Sequence, residues 1–468
     1  MSEIDLVLIN PASLTEKKSF FKRDLNELLE KYPPLGLGYL ASSCKQKGYK
    51  VAIIDLDVEH LSMDVLIKKV ASLKPRLIGV SCLSPLVSIA VGITRDIKKS
   101  FDIPIVMGGA HTNIDPESLL KEDSIDFLIR GAGETGIVQL MDYLTSGNIE
   151  LKDVDNISYK KDGNIFHKPL SEIKEHLDEY PFPDRSLFKN SRYYNPFSLG
   201  TKFISIITSR GCVYNCTFCN PIYKKLRKRS VQNVIDEIKK EMRERKTHNF
   251  EIFDETFNFP PEWVMEFCDR VIESKLKISF RIRCRPDFIV SEEMTKKLKR
   301  AGCYLVSMGI ESSNDKTLKF YNKGYNTKQT RNAIRLLKKA NLKIQGYFVT
   351  GSPSDSKQEM LDTIDFAVKS GIDFATFAIL TPYPGTKLYD IVQEQGLWKD
   401  QNKLNYEDQI GVVVPLIKHP ELSKNEVKKM QRRAYLKFYL RWQTIPNLIR
   451  LLWFNPFYPY NVLRCQLK

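Results

Sequence analysis

The stretch FISIITSRGCVYNCTFCN (203–220) joins an apolar strand pattern directly to a loop with three cysteines in eight positions. Apolar, β-branched residues dominate 203–208 and predict a strand, and Cys212, Cys216 and Cys219 follow it. Thiolates in such a loop bind zinc or an iron–sulfur cluster. A structural zinc ion takes four protein ligands, but the nearest downstream histidine, His248, belongs to the next strand–helix segment. Three ligands leave one coordination position open, which indicates a catalytic centre.

Strand and helix patterns alternate from residue 201 onward, and the cysteine loop follows the first strand of this series. Helices are predicted between the strands, for example over 231–245 and 327–340. The predicted strands are 203–208, 250–253, 278–283, 304–309, 344–350 and 374–380. Six such units make a partial or full parallel (β/α)6 barrel, which carries its chemistry at the carboxyl ends of its strands. The cysteine loop lies at one of these ends.

The first 150 residues show an independent alternation of short apolar strands and helices, which predicts a Rossmann-like, doubly wound parallel sheet. The predicted strands are 4–10, 50–57, 77–83, 103–109 and 125–131, and the helices are 35–47, 62–73, 86–100, 115–121 and 134–145. Small or loop-forming residues stand at four strand ends: Asn10-Pro11, Ser81-Cys82-Leu83, Gly108-Gly109-Ala110-His111 and Gly131-Ala132-Gly133-Glu134. They are compatible with a ligand crevice or with tight strand-to-helix turns alone.

The alternation breaks over 151–200 and again after residue 390. The segment 156–168 reads as a hairpin around Asp162-Gly163, and YPFPD (180–184) reads as a connector. We therefore predict a first domain over 1–150, a linker with a hairpin over 151–200, a barrel over 201–390 and a helical C-terminal region over 391–468.

The last part of that region, 432–468, is rich in arginine and aromatic residues and is interrupted by prolines. It is too interrupted to span a bilayer. Three roles remain open: a segment on a membrane surface, a site for an apolar substrate, or a helix packed on the barrel.

Composition bounds the class of protein without identifying it. The 468 residues are 42% hydrophobic and 27% charged, as in a globular protein. Nine cysteines without an export signal predict a reducing, cytoplasmic location. The uncharged stretch 77–94 contains Gly79, Ser84 and Pro85, which favours strand, loop and helix over a membrane span. The net charge of +16 is compatible with nucleic acid, anionic lipid or solvated lysine-rich faces.

The sequence GCVYNCTFC (211–219) resembles the cluster loop of radical S-adenosylmethionine (SAM) enzymes. The resemblance implies that Cys212, Cys216 and Cys219 hold a [4Fe–4S] cluster whose fourth iron is chelated by SAM. Phe218 matches the aromatic residue on the adenine side of SAM. One-electron reduction, from a donor such as flavodoxin or ferredoxin, would then cleave SAM to a 5′-deoxyadenosyl radical that abstracts hydrogen from an unactivated carbon.

Later strand ends are similar to other parts of the radical SAM template. Asp254 and Glu255 (in IFDETF, 252–257) stand where the family contacts the SAM amino group, and Arg283 stands where a cation meets the SAM carboxylate or an anionic substrate. Glu311 and Ser312 follow the fourth strand, where the family commonly contacts SAM. The segments 346–355 and 381–390 resemble the stretch near adenine and the closing loop. Each polar residue could instead be a solvated or helix-capping side chain.

The N-terminal domain resembles the cobalamin-binding domain that precedes one large radical SAM class. PPLGLGYLAS (33–42) is similar to its first helix, and Ser81, Leu83, Gly108 and Gly109 match the elements along the cobalamin nucleotide tail. The cobalamin-contacting set implied is Pro11, Leu35, Gly36, Ser81, Leu83, Gly108, Gly109, His111, Gly131, Gly133 and Glu134.

One element of the cobalamin domain departs from the pattern. NPASLTEKKS (10–19) replaces the Asp-x-His-x-x-Gly loop whose histidine coordinates cobalt in cobalamin mutases. Cobalamin would then be bound without that axial histidine, or would have been lost. For His111 we expect a hydrogen bond to phosphate or loop backbone rather than cobalt ligation.

These resemblances favour a cobalamin-dependent radical SAM C-methyltransferase acting on a small molecule, peptide or lipid. A cobalamin enzyme that closes or rearranges rings is the first alternative. An RNA methylthiotransferase needs three cluster cysteines in its first domain, but only Cys44 and Cys82 occur there. A metal-stabilised binding module is the non-enzymatic alternative. We expect no nucleic-acid partner, and the C-terminal region suggests peripheral contact with the inner membrane face.

Overall fold

The computed structural model describes residues 4–12, 30–172, 176–189, 193–195, 197–200, 202–399 and 414–444. The described residues form two compact units. The first is made of residues 4–12 and 31–194, and the second of residues 195–444 with Glu30. Each unit is organised around its own sheet, so the two cores are described separately.

The first unit contains seven strands: β1 (Leu6–Asn10), β2 (Val51–Asp55), β3 (Leu77–Ser81), β4 (Ile105–Gly108), β5 (Phe127–Ile129), β6 (Ile157–Lys161) and β7 (Asn164–His167). Its helices are α1 (Leu35–Gln46), α2 (Leu56–Glu59), α3 (Met63–Leu73), α4 (Val87–Ser100), α5 (Pro116–Leu120) and α6 (Glu134–Thr145). The strand order is β2-β1-β3-β4-β5-β6-β7, with β1 to β5 parallel. The order reverses between β1 and β3, where a doubly wound sheet opens its ligand crevice.

The hairpin of β6 and β7 turns at Asp162 and Gly163, both with positive φ, as the sequence predicted. The sequence placed this hairpin in a connector over 151–200. The structure instead makes it the edge of the first sheet, because β6 pairs antiparallel with β5 from Phe127↔Tyr159 to Ile129↔Ile157. Sheet pairing of this kind depends on distant backbone groups, which local turn residues do not reveal.

The second unit contains six parallel strands: β8 (Ile204–Ile206), β11 (Asn249–Ile252), β12 (Ser279–Cys284), β13 (Cys303–Glu311), β14 (Lys343–Thr350) and β15 (Phe374–Ile379). A separate two-stranded ribbon is made of β9 (Ser209–Arg210) and β10 (Arg227–Lys228). The helices are α7 (Val231–Arg245), α8 (Pro261–Glu273), α9 (Glu292–Arg300), α10 (Asp315–Phe320), α11 (Thr327–Lys339), α12 (Lys357–Lys369), α13 (Lys387–Glu394) and α14 (Lys424–Tyr439). The strands run in the order β15-β14-β13-β12-β11-β8, so the barrel is partial and open between its first and last strands.

Local sequence signals explain where several outer helices begin. Helices α11, α12 and α14 each start with a capping box, in which the N-cap and N3 side chains bond each other's backbone N–H groups. The buried apolar sides of the strands and helices then form one continuous core that includes Ile206, Phe280 and Ile344. The barrel is thereby a rigid frame that fixes the position of its strand-end loops.

Helix α14 covers the free edge of β15. The Tyr439 hydroxyl lies 2.8 Å from the carbonyl oxygen of Ala375 and 3.2 Å from its N–H nitrogen. The Tyr435 hydroxyl accepts from the Phe377 N–H at 3.2 Å, and Gln431 donates to the Phe377 carbonyl at 2.7 Å. Side chains therefore satisfy edge groups that would otherwise be open to another strand.

This helix decides one of the three roles left open for the C-terminal region. Residues 424–439 pack on the barrel, with Phe438 in its core. Residues 445–468, on which the membrane and apolar-substrate predictions also rest, lie outside the described residues. None of the described helices combines the length and apolar character needed to cross a bilayer.

Candidate active site

The cysteine loop leaves the barrel at the carboxyl end of β8 and is closed at its base by the β9–β10 ribbon. Gly211 turns the chain with φ of +87°, and a Cβ at this position would overlap the Lys225 carbonyl oxygen. The Cys212 N–H donates to the Tyr223 carbonyl at 3.0 Å, which ties the two ends of the loop together. The backbone therefore fixes the first cysteine before any metal is considered.

The segment Phe320–Lys323, directly after α10, holds the middle of the loop. Thr217 donates its N–H to the Tyr321 carbonyl at 2.9 Å and its hydroxyl to the Phe320 carbonyl at 2.6 Å. Asn322 donates to the Asn215 carbonyl at 2.8 Å. The loop position is thus set by another strand end of the barrel rather than by the loop alone.

The three cysteines suit a cluster better than a single ion. Cys212 and Cys216 are half-buried, Cys219 is exposed, and none forms a disulfide. Nowhere in the described part of the chain do three or more His, Cys, Asp or Glu side chains converge on one ion position. In a four-iron cluster each cysteine binds a different iron, so such convergence is not required.

The thiols also influence one another electrostatically. Although Cys219 keeps exposed surface, the pKa of its thiol is raised to about 11, mainly by desolvation and in smaller part by the charges of Cys216 and Cys212. Thiolates in this loop therefore need a positive partner. An iron–sulfur cluster supplies that charge, so the donor set fits the group.

Asp254 and Glu255 are neighbours in sequence but have opposite environments. Asp254 is fully buried, and its carboxylate accepts from the N–H groups of Thr208 at 2.7 Å and Ser209 at 3.1 Å. It also bonds the Thr208 hydroxyl and lies 3.5 Å from Lys228 Nζ. Because both oxygens already have partners, Asp254 holds the start of the cysteine loop. Its predicted contact with the SAM amino group stays a prediction.

Glu255 is exposed, and its carboxylate is placed to receive a cation. Desolvation by surrounding residues raises its pKa to about 7, and the charge of Asp254 adds to this effect. The same carboxylate raises the pKa of the Cys219 thiol, which places it near the cysteine loop. Of the two predicted acids, Glu255 is the one that fits the SAM ammonium.

This difference predicts distinct results for two matched amide substitutions. Asp254→Asn should lower the free energy of unfolding by about 3 kcal/mol, because it breaks a buried charged network. Glu255→Gln should leave unfolding unchanged and weaken SAM binding by about tenfold, since it removes one charge-assisted bond of roughly 1.5 kcal/mol. Denaturant titration and equilibrium binding to the cluster-loaded protein measure the two effects. Equal loss of stability in both variants would contradict the assignment.

Two arginines of the RIRCRPD segment (281–287), Arg281 and Arg283, have different environments. Arg281 is buried inside the barrel and donates to Ser307 at 3.0 Å and Gln345 at 2.6 Å. Arg283 is partly exposed and lies over the Phe253 ring, with its Cζ 4.1 Å from the centroid. Arg283 is therefore the arginine that remains accessible to a carboxylate, in agreement with the predicted choice, which stays a prediction.

Glu311 and Ser312, the predicted SAM contacts after the fourth strand, both have partners within the protein. Glu311 is buried and pairs with Lys323, with Oε1 3.0 Å from Nζ. Ser312 is also buried, and its hydroxyl lies 3.3 Å from the Thr363 hydroxyl and accepts from the Asn314 N–H at 3.1 Å. Their predicted contacts with SAM stay predictions.

Phe218, the predicted aromatic residue on the adenine side of SAM, is only partly covered by its neighbours. Its ring packs edge-on against Tyr321, with centroids 5.2 Å apart and planes at 85°. Phe218 is half-buried, so part of the ring remains available to an adenine. The start of helix α13, which follows β15 in the chain, contacts the same loop, because the Leu388 N–H donates to the Thr217 carbonyl at 2.7 Å.

The predicted cobalamin residues of the first unit gather at one edge of its sheet. Ser81 and Gly108 are the last residues of β3 and β4 and lie opposite each other in the register. Leu83 is 45% exposed, and a Cβ on Gly36 would meet nothing within 4 Å. Exposed apolar surface beside an open backbone is what a large corrin tail needs, so these residues fit the group.

The other predicted cobalamin residues also follow or flank the carboxyl ends of the strands of the first sheet. Pro11, Leu35, His111 and Glu134 are buried, whereas Gly133 is half-buried. Gly109 and Gly131 have φ of +120° and +66°. A Cβ on Gly109 would lie 2.7 Å from the Cys82 carbonyl oxygen, so glycine here serves strand-end packing.

The side chain of His111, which follows β4, bonds a residue of the neighbouring loop after β3. Its Nδ1 lies 3.1 Å from the Ser84 hydroxyl, and burial lowers its pKa. The predicted bond from His111 to phosphate or loop backbone stays a prediction. A neutral His111 held in this way positions the loop after β3.

Comparison with known proteins agrees with this geometry. Residues 206–367 match the family model for the Radical SAM superfamily, and residues 24–141 match that for the B12 binding domain. An uncharacterized methyltransferase of Pyrococcus horikoshii is 32% identical over 414 residues, which cover 87% of this chain and 88% of the relative. An anaerobic magnesium-protoporphyrin IX monomethyl ester cyclase of Rubrivivax gelatinosus is 27% identical over 88% of this chain and 75% of its own.

A solved structure shares the fold. The radical SAM methyltransferase TsrM from Kitasatospora setae superposes with a TM-score of 0.70 at 18% identity, over 86% of this chain and 80% of that one. A partial barrel whose first strand leads into three cysteines defines an iron–sulfur enzyme. The chain belongs to the radical SAM superfamily, in the branch that carries a B12 binding domain. The predicted fold class and the cofactors, a [4Fe–4S] cluster, SAM and cobalamin, are thereby confirmed.

Three residues near the cysteine loop escaped the sequence analysis. Lys323 and Arg285 contact the aromatic residues of the loop, and Lys228 lies beside Asp254. Lys228 sits over the Trp263 ring at 4.1 Å, and its burial lowers its pKa. The signal that points to such cations is the pair of aromatic residues, Tyr214 and Phe218, between the cysteines.

Proposed function

We propose that the protein is a cobalamin-dependent radical SAM methyltransferase that methylates an unactivated carbon. The observation that carries this proposal is the three-cysteine loop at the carboxyl end of β8, in a chain that also carries a B12 binding domain. The relative from Pyrococcus horikoshii, which is named a methyltransferase, supports the reaction type. When bound, the cofactors supply a reactive radical for hydrogen abstraction and a transferable methyl group.

The chain's own groups bind and orient SAM. Cys212, Cys216 and Cys219 hold the cluster, and Glu255 accepts hydrogen bonds from the SAM ammonium. Arg283 supplies the cation for a carboxylate, and Phe218 offers the free part of its ring to the adenine side. Asp254 keeps the start of the loop in place through its bonds to Thr208 and Ser209.

The cobalamin assignment rests on the strand-end edge of the first unit. Ser81 and Leu83 would lie along the nucleotide tail, while Gly36 and Gly108 leave the backbone open to it. His111 bonds Ser84 through Nδ1, and for its other ring nitrogen we still expect a phosphate or backbone partner rather than cobalt. The substrate would be a small molecule, and the electron donor a small redox protein such as flavodoxin or ferredoxin.

A cyclase is the second candidate, because a relative from Rubrivivax gelatinosus is named as one. The mass of the product separates the two reactions. Methyl transfer adds one CH2 to the substrate and incorporates label from SAM that carries a labelled methyl group. A converted substrate with an unchanged carbon count would contradict the methyltransferase proposal and support the cyclase.

The RNA methylthiotransferase alternative receives no support from the described part of the first unit. Its two cysteines, Cys44 and Cys82, are fully buried, and burial raises the pKa of each thiol to about 12. Neutral thiols in an apolar core are unsuited to bind a second cluster.

The assignment of Glu255 predicts how SAM binding depends on pH. Because the raised pKa lies at about 7, the ionised carboxylate is present above that value and is lost as pH falls through it. We expect the SAM dissociation constant to rise as pH is lowered from about 8 to about 6, since only the carboxylate attracts the ammonium. Equilibrium binding to the cluster-loaded protein measures this. The Glu255→Gln variant should show a flatter profile, and an identical profile would refute the role.

A further inference from the structure

Two buried cations lie against the aromatic residues of the cysteine loop. The Arg285 guanidinium stacks on the Tyr214 ring, with its Cζ 3.4 Å from the centroid. The Lys323 ammonium lies 5.5 Å from the centroid of the Phe218 ring. Tyr214 and Phe218 alternate with the three cysteines in sequence, so both cations lie against the cysteine loop.

Lys323 is held as a buried charge. It is 7% exposed, and its Nζ lies 3.0 Å from Glu311 Oε1. Glu311 has a left-handed φ of +62°, and a Cβ on Gly309 would come within 2.5 Å of the Glu311 Oε1. Burial alone would lower the pKa of Lys323, but the charge of Glu311 outweighs it and raises the pKa. The ammonium is therefore charged at neutral pH.

The ammonium and the cysteine loop share one support. Arg285 donates to the Lys323 carbonyl oxygen and is itself held by Asp287 through two bonds of 3.1 Å. The neighbouring residues Phe320–Asn322 bond Thr217 and Asn215 of the loop. The distance between the buried charge and the thiolates is thus fixed by the fold.

The position of the ammonium brings its charge close to the loop that carries the cysteines. Phe218, whose ring centroid lies 5.5 Å from the Lys323 Nζ, directly precedes Cys219 in the sequence. A fixed positive charge in a poorly solvated position stabilises negative charge on this loop.

We propose that Lys323 is a tuning residue, whose buried charge raises the reduction potential of the cluster that the cysteine loop binds. Reduction adds one electron to a cluster already bound by three thiolates, so the reduced state gains more from a nearby cation than the oxidised state does. Glu311 is then assigned to holding Lys323 rather than to contacting SAM. This inference rests on the cluster and does not depend on methyl transfer.

A redox titration without SAM or substrate tests the inference. Anaerobic protein with full iron and sulfide content is poised at a series of potentials, and the reduced cluster is measured by electron paramagnetic resonance. The variants are Lys323→Gln, Lys323→Arg and the double variant Glu311→Gln with Lys323→Gln, which leaves no unpaired buried charge. Lys297→Gln, which removes a lysine of α9 that pairs with Asp269 of α8, controls for the change in net charge.

We expect Lys323→Gln to have about tenfold less reduced than oxidised cluster at the wild-type midpoint, which corresponds to about 59 mV for one electron. The double variant should shift in the same direction by a smaller amount, while Lys323→Arg and Lys297→Gln should match the wild type. An unchanged midpoint in fully loaded Lys323→Gln overturns the inference. It is also overturned if neither charge-removing variant assembles a cluster, because Lys323 would then act on loop structure. Absence of a cluster in the wild type would instead contradict the proposed function.

Discussion

Cys216→Ala will abolish both the iron–sulfur cluster and the reductive cleavage of SAM. Each of the three thiolates binds a separate iron, so no remaining cysteine of the loop can replace the one removed. The loop offers no substitute, because its backbone is fixed by the bonds of Cys212 to Tyr223 and of Thr217 to Tyr321. Absorbance of the anaerobically reconstituted protein measures the cluster, and the amount of 5′-deoxyadenosine formed with reductant measures cleavage.

The matched control is Cys303→Ala, which removes a buried cysteine of β13 outside the loop. Its thiol is in the apolar core, where burial raises its pKa far above the ordinary value. This variant should lose only about 1 kcal/mol of stability and keep cluster and cleavage. Formation of 5′-deoxyadenosine at the wild-type rate by Cys216→Ala would refute the assignment of the cysteine loop.

The second large effect is expected from truncation. Ending the chain after Leu422 removes α14 and should leave the protein insoluble. The truncation uncovers the β15 edge and removes Phe438 and Ala434 from the core. Each large apolar side chain contributes about 1.5–3 kcal/mol, and total stability is only about 5–15 kcal/mol. Soluble yield and thermal unfolding measure the outcome.

A chain ending after Thr444 is the control, because it keeps α14 and lacks only residues 445–468. It should remain soluble with a wild-type melting temperature. Comparing its binding to anionic vesicles with that of the full chain also tests the predicted membrane contact of the C-terminal region. Soluble, cooperatively unfolding protein ending at Leu422 would contradict the role given to α14.

The fold was largely predictable because its strands are short apolar runs between helices. Predicted and observed strands agree closely at β3 and β11, where buried residues are continuous in sequence, and at β14. The attachment of the β6–β7 hairpin to β5 was not predictable, since it depends on hydrogen bonds to a strand roughly 30 residues earlier. The bounds of β13 were missed because Glu311 extends the strand through an irregular register.

The site was predictable where chemistry is local in sequence. Cys212, Cys216, Cys219 and Phe218 share one loop, and their spacing carries the information. The sequence could not show which of Asp254 and Glu255 is buried and bonded within the protein. That difference depends on which carboxylate bonds Thr208, a residue 46 positions away from Asp254. The ion pair between Lys323 and Glu311 was not predictable either, because Glu311 has a left-handed backbone conformation that its sequence context does not indicate.

The coverage of β15 by α14 also has a consequence for synthesis on the ribosome. Strand β15 ends at Ile379, whereas the tyrosines that occupy its edge follow roughly 60 residues later. Because synthesis adds about 5–20 residues per second, the edge of β15 in the nascent barrel stays uncovered for roughly 3–12 s. During this interval a growing chain can pair with a neighbouring one on the same polysome. Expression at lower initiation rates, or with a co-translational chaperone, should therefore raise the yield of soluble enzyme.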